Sequence, residues 1–170
     1  MILQHCWVKN NQAVGQVVIA RTAGAVEIHA AEELSRYFEK ISGAPLPVIQ
    51  GVRNRTAPSI VILDASRPAN REFLAKMPAA SLRHDGFFIR SEGADLFIGA
   101  NEPSGLVFGV YQYLTLVLNV RFFDLGLEGE DIPYLDTVEH AAVNILKNPR
   151  LPYRGLQQPV DIQRLDWMIK

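Results

Sequence analysis

Cysteine is nearly missing. Cys6 is the single one in 170 residues, which excludes an internal disulfide and any cysteine zinc cluster. An excess of charge is missing too: 17 lysines and arginines meet 18 aspartates and glutamates, for a formal net charge of −1. No electrostatic footprint for nucleic acid or an anionic membrane is therefore expected. Long hydrophobic runs are lacking. The longest apolar helical stretch, about Leu106 to Val120, carries Gln112 and Asn119 and falls short of the roughly 20 apolar residues of a bilayer span. The start, Met1-Ile2-Leu3-Gln4-His5-Cys6-Trp7-Val8-Lys9, has neither the basic opening nor the apolar run of a signal peptide, and the compartment stays open. His5, His29, His84 and His140 show no H-E-x-x-H spacing, so neither a metal nor a cofactor is expected.

What is present is globular in character. Hydrophobic residues make up 48% and charged residues 21%, close to the soluble average. A chain of this length buries roughly 70% of its unfolded surface, enough for one domain without staples.

Gln16-Val17-Val18-Ile19-Ala20 reads as a short buried strand. Ile28, Ala31, Leu34, Phe38 and Ile41 then recur at helical spacing, with Glu32, Glu33, Arg36, Glu39 and Lys40 expected to face outward. Ser42-Gly43 ends this helix, because glycine accepts the left-handed conformation just past a helix end. Ser59 to Leu63 is a second apolar run of strand length, and Asn70 to Met77 a short helix. Gly86 to Arg90 and Asp95 to Gly99 predict an antiparallel hairpin across four residues. Pro103 opens a helix with Val107, Val110, Tyr111, Leu114, Val117 and Leu118 as its stripe. Gly105 and Gly109, four apart on it, allow a close approach to a sheet. Arg121-Phe122-Phe123 and Ile132 to His140 are further extended pieces. The order predicts an α+β fold, with two main helices on one face of a mixed or antiparallel sheet.

Candidate chemistry is thin. Phe97 to Gly105 joins a strand to a helix as in a dinucleotide unit, but G-x-G-x-x-G is absent, and Glu102 would set a negative charge where a phosphate belongs. Glycines that permit close packing are the simpler reading. Asp124, Glu128, Glu130, Asp131, Asp136 and Glu139 fall in a stretch without lysine or arginine; charge runs of this kind are usually solvated. His84-Asp85 reads as a turn, and Cys6 as a spectator thiol with no nearby base. Trp7 and Tyr153 are candidates for stacking on sugars, whereas Tyr111 and Tyr113 sit in an apolar helix and read as core. No catalytic residue is expected.

The order of features does resemble one known domain. Ala30 to Val48, with its helix and its Ser42-Gly43-Ala44-Pro45-Leu46-Pro47 exit, carries the likeness. It continues through His84-Asp85-Gly86-Phe87, Leu96-Phe97-Ile98-Gly99-Ala100, Gly105 to Leu114 and Leu118 to Phe123. These segments resemble the small α/β domain that precedes the barrel in family 20 β-N-acetylhexosaminidases, in α-glucuronidases and in related bacterial proteins. The resemblance implies a non-catalytic domain packed against a (β/α) barrel. It further implies that Tyr153-Arg154-Gly155-Leu156 is the first barrel strand and that Arg154 contacts the substrate sugar, a role suited to the fork of a guanidinium.

The expected organisation is an accessory domain over residues 1–147, followed at 148–170 by a linker and the start of a truncated barrel. The expected function is support of a glycoside hydrolase barrel, the partner being the chain's own C-terminal catalytic domain and the ligand a carbohydrate. A free-standing glycan- or protein-binding module is the alternative. Leu156, Ile162, Leu165, Trp167, Met168 and Ile169 would belong to the barrel core, so without it they are expected to fray, to fold back onto the domain or to associate with another copy, held by non-native or intermolecular contacts.

Overall fold

The computed structural model describes residues 4–52, 54, 56–67, 81–124 and 129–150. The expected helix at Asn70–Met77 and everything expected of 151–170 lie outside these residues.

The chain opens with a hairpin of β1 (Gln4–Lys9) and β2 (Gln12–Ala13). Asn10 and Asn11 take φ of 50° and 57° at its turn, a left-handed pair that asparagine tolerates better than other residues with a side chain. β3 (Gln16–Ile19) leads into α1 (Ala25–Ser42), β4 (Val48–Gln50) and β5 (Ser59–Asp64). A second hairpin joins β6 (Phe87–Glu92) to β7 (Asp95–Ala100) through Gly93 and Ala94. Next come α2 (Pro103–Leu116) and the short strands β8 (Arg121–Phe122) and β9 (Glu130–Asp131). β10 (Val138–Ala141) and β11 (Asn144–Lys147) close the described domain.

The main sheet has six strands in the order β11-β6-β7-β5-β3-β4. β3 is parallel to β4 and β5, and β5 is parallel to β7. β6 runs antiparallel to β7 and β11 antiparallel to β6. A smaller sheet, β10-β1-β2, is antiparallel throughout. The fold is α+β on a mixed sheet, with α1 and α2 side by side on one face of it.

Each helix runs back along the strand it follows. A Cβ at Gly105 would meet Ala100, and one turn later a Cβ at Gly109 would meet Ile98, so α2 descends along β7. α1 joins the parallel neighbours β3 and β4 and must return likewise. The core lies between helices and sheet. Val17, Ile60, Ile62, Ile89 and Ile98 from the strands meet Leu34, Phe38, Val110 and Leu114 from the helices, all fully buried. Leu63, Leu82, Phe88 and Phe97 form a second cluster, on the opposite face of the sheet by strand alternation.

α1 ends as expected, with Gly43 at φ 74° and its N–H bonded to the Glu39 carbonyl. It also corrects one expectation. Glu33, expected on the outward face, is buried, because α2 packs beside α1 and widens the covered arc beyond the sheet-facing stripe.

Candidate functional site

Four features carry the chemistry that the sequence singled out, and the sheet positions all of them. The first is the junction from β7 to α2. A Cβ at Gly99 would stand 2.3 Å from Phe88 Cζ, and one at Gly105 would stand 2.8 Å from the Gly86 carbonyl oxygen. These glycines admit neighbouring protein, which is the reading expected of them. Glu102 precedes α2, and its carboxylate meets His84 Nδ1 at 2.5 Å. An anionic side chain and its imidazole partner therefore occupy the helix start that a phosphate would need.

The second feature is the His84–Asp85 turn itself. Asp85 takes φ 56° and accepts a hydrogen bond from the Ser104 hydroxyl. Ligand atoms of His84, Asp85 and Glu102 all lie within 4.8 Å of one another, a donor set able to hold a divalent ion. The same contacts clasp the turn before β6 to the first turn of α2. His84 is largely exposed, and the helix end beside it is the positive one. The arrangement is that of a clasp between the turn and the helix start.

The third feature lies over the two helices. Glu130, from the acidic run, has a side chain only 4% accessible. It accepts hydrogen bonds from the Tyr37 hydroxyl at 2.6 Å and from Lys40 Nζ at 2.5 Å. Burial, and then the Glu130 carboxylate, push the Tyr37 phenol far above its usual range, so it stays a donor. Glu33 likewise accepts from the Tyr111 hydroxyl and from Arg36. Tyr37, Tyr111 and Phe122 meet edge to face, with centroids 5.5 to 6.2 Å apart. Each of these carboxylates has both a phenol and a cation as partners, which makes them structural. Among the described residues of the acidic run, Glu130 is the departure from solvation.

The fourth feature was not read from the sequence as a unit. His5 stacks on Trp7 at 5.6 Å between ring centroids, and His140 lies 5.3 Å from His5. His140 Nε2 is met by Trp7 Nε1 at 3.1 Å and by the Tyr113 hydroxyl at 2.8 Å. Burial pushes His140 below its ordinary 6.5 and pushes the Tyr113 phenol well up. Periodicity could not have found this group, because its members come from β1, α2 and β10, up to 135 positions apart.

Trp7 is wholly buried and offers no platform for a sugar. Tyr111 and Tyr113 are core residues, as expected. Burial and then the nearby Glu139 raise the Cys6 thiol, which keeps it protonated rather than nucleophilic. Arg154 and Tyr153 lie outside the described residues. Among the described residues no helix is long and apolar enough to cross a membrane.

The fold recurs in much larger proteins. The chain superposes over 91% of its length on a GH20 β-N-acetylhexosaminidase from Streptomyces coelicolor A3(2), with TM-score 0.54 and 16% identity. It does the same on a GH20 exo-β-N-acetylglucosaminidase from Vibrio harveyi in complex with N-acetylglucosamine, with 91% coverage, TM-score 0.51 and 17% identity. It spans only 26% and 18% of those two chains. At such identities the likeness is one of fold. The fold class is thus that of a small α+β module shared with glycoside hydrolases. The chain itself belongs to the family described as glycosyl hydrolase family 67 N-terminus, whose model matches residues 4–113. No curated protein sequence matches it.

Proposed function

We propose that this chain is the non-catalytic N-terminal domain of a glycoside hydrolase and that it supports the catalytic barrel following it. On this reading residues 1–147 are the accessory domain, and 148–170 are the linker and first strand and helix of the barrel. Arg154 on that first strand contacts the substrate sugar. The observation that carries the reading is the family match over residues 4–113. The chemistry of the described residues is consistent with it, since Glu33 and Glu130 are held by phenols and cations inside the packed helices. A pair of carboxylates that cleaves a glycoside must instead reach the sugar from both sides of the bond.

The test compares three proteins on aryl glycosides. Residues 1–170 alone should show no turnover. The same chain continued through its barrel should be active, and Arg154→Ala in that longer protein should raise KM. Deleting residues 1–147 from it should lower its melting temperature. Turnover by the 170 residues, or an unchanged melting temperature after the deletion, would defeat the proposal.

A further inference from the structure

His5 and His140 are directly opposite one another in the β1–β10 ladder. Their side chains therefore share one face, and the pair Cys6 and Glu139 next to them points to the other. The register shifts between Cys6 and Val8, and Trp7 at that bulge is turned inward. Trp7 and Tyr113 are wholly buried and His5 is 2% exposed.

The hydrogen bonds fix where the protons are. His140 Nδ1 lies 2.7 Å from the Ala141 carbonyl oxygen and so carries the hydrogen, because a carbonyl only accepts. Its Nε2 is then the acceptor that faces the Trp7 N–H and the Tyr113 hydroxyl. His5 Nδ1 faces the Ala94 carbonyl in the same way, at 3.2 Å, while its buried Nε2 has no hydrogen-bond partner. The His140 ring is thus held in the neutral form. A proton on His140 Nε2 would oppose two donors, of which only the Tyr113 hydroxyl can turn to accept. A proton on His5 Nε2 would have no acceptor at all. Two cations with ring centres 5.3 Å apart would also repel.

We propose that this contact is an acid-released latch: proton uptake by His140 separates β1 from β10 and exposes Trp7, while the six-stranded sheet and its helices stay folded. Among the described residues, the charge that acts on His140 is that of His5. On β1 the other titratable groups are Cys6, on the far face, and Lys9, which is exposed; on β10 there is Glu139, also on the far face. α2 contributes the Tyr113 phenol, and the β6–β7 hairpin presents the Ala94 carbonyl. The small sheet shares no ladder with the six-stranded one and is joined to it through the core contacts of Trp7, Val8 and Val138. The sign follows from burial. The folded His140 binds its proton more weakly than an unfolded one, whose pKa is 6.5. The closed form is therefore complete above 6.5 and loses up to about tenfold in population ratio for each unit below it, until the folded imidazole titrates.

Trp7 is itself the reporter. Trp167→Phe leaves it as the sole tryptophan of the two in the chain. Lowering the pH of that variant from about 8 to about 4.5 should shift Trp7 emission to the red, with a midpoint below 6.5. Far-UV circular dichroism should keep its helical signal through that change. Emission that does not move, or that moves only together with loss of the helical signal, would overturn the latch. His140→Phe should abolish the transition or displace its midpoint. Should that variant fail to fold, the proton NMR titration of the imidazoles in the parent chain still decides: His140 should titrate below 6.5, and titration at or above that value would overturn the proposal.

Discussion

Glu33 and Glu130 show what a single side chain can hide. A helical stripe assigns each position to a face, and on that basis Glu33 belongs outside. The second helix changes the answer, because a buried carboxylate is tolerated once a phenol and a guanidinium reach it. Nothing in the sequence near Glu33 announces Tyr111, which lies 78 positions away. Glu130 is the same case, with Tyr37 and Lys40 lying 93 and 90 positions back along α1. Tyr111→Phe removes one donor and leaves the Glu33 carboxylate on Arg36 alone. The expected cost is about 1–3 kcal/mol, the penalty of an incompletely bonded buried acceptor. Urea unfolding at pH 7 measures it. A loss within error would mean that the guanidinium alone satisfies Glu33.

Elements with local signals were legible, and those held by distant partners were not. The α1 stripe, the glycine that ends it and the β6–β7 hairpin all follow from spacing and turn residues within a short window. β1 and β11 do not. Gln4-His5-Cys6-Trp7-Val8-Lys9 mixes polar and apolar residues without clear alternation, because its pairing with β10 buries His5 and half-buries His140. Asn144-Ile145-Leu146-Lys147 is an edge strand, mostly exposed, that gains its order from β6. The close approach of α2 to the sheet was legible from Gly105 and Gly109, and it yields a prediction whose sign is contested. Propensity alone makes alanine about 1 kcal/mol better than glycine inside a helix. A Cβ at Gly109 would stand only 2.8 Å from Ile98 Cγ2 and 3.5 Å from Phe87 Cβ. Ile98 is fully buried on a central strand and has little room to yield. Gly109→Ala should therefore destabilise the domain by about 1–3 kcal/mol, overpacking outweighing propensity. A melting temperature above that of the parent would show that β7 and α2 can separate at little cost.

At the scale of the whole molecule, the question is where the accessory domain stops. Strand pairing runs through Lys147, opposite Phe87. Asn148, the first linker residue on the proposed division, is itself pinned. Its Oδ1 accepts the Arg83 N–H at 2.8 Å, and its Nδ2 donates to the Ser81 carbonyl at 3.0 Å. A Cβ at Gly86 would fall 2.3 Å from that Oδ1, so glycine is what lets the side chain in. These bonds tie the exit of β11 to the turn before β6, and they sit at the same end of the sheet as the His84–Glu102 clasp. Among the described residues, the buried members of the main core lie between residues 7 and 138. A chain ending at Arg150 should therefore unfold in one cooperative urea transition, with a midpoint close to that of the full 170 residues, and should be monomeric at concentrations where the longer chain self-associates through Leu156, Ile162, Leu165 and Met168. Sedimentation velocity and urea unfolding of the two chains, side by side, check both halves. Loss of the cooperative transition on truncation would make 151–170 part of the domain and move its boundary beyond Arg150. Equal association of both chains would place the self-association elsewhere on the described surface.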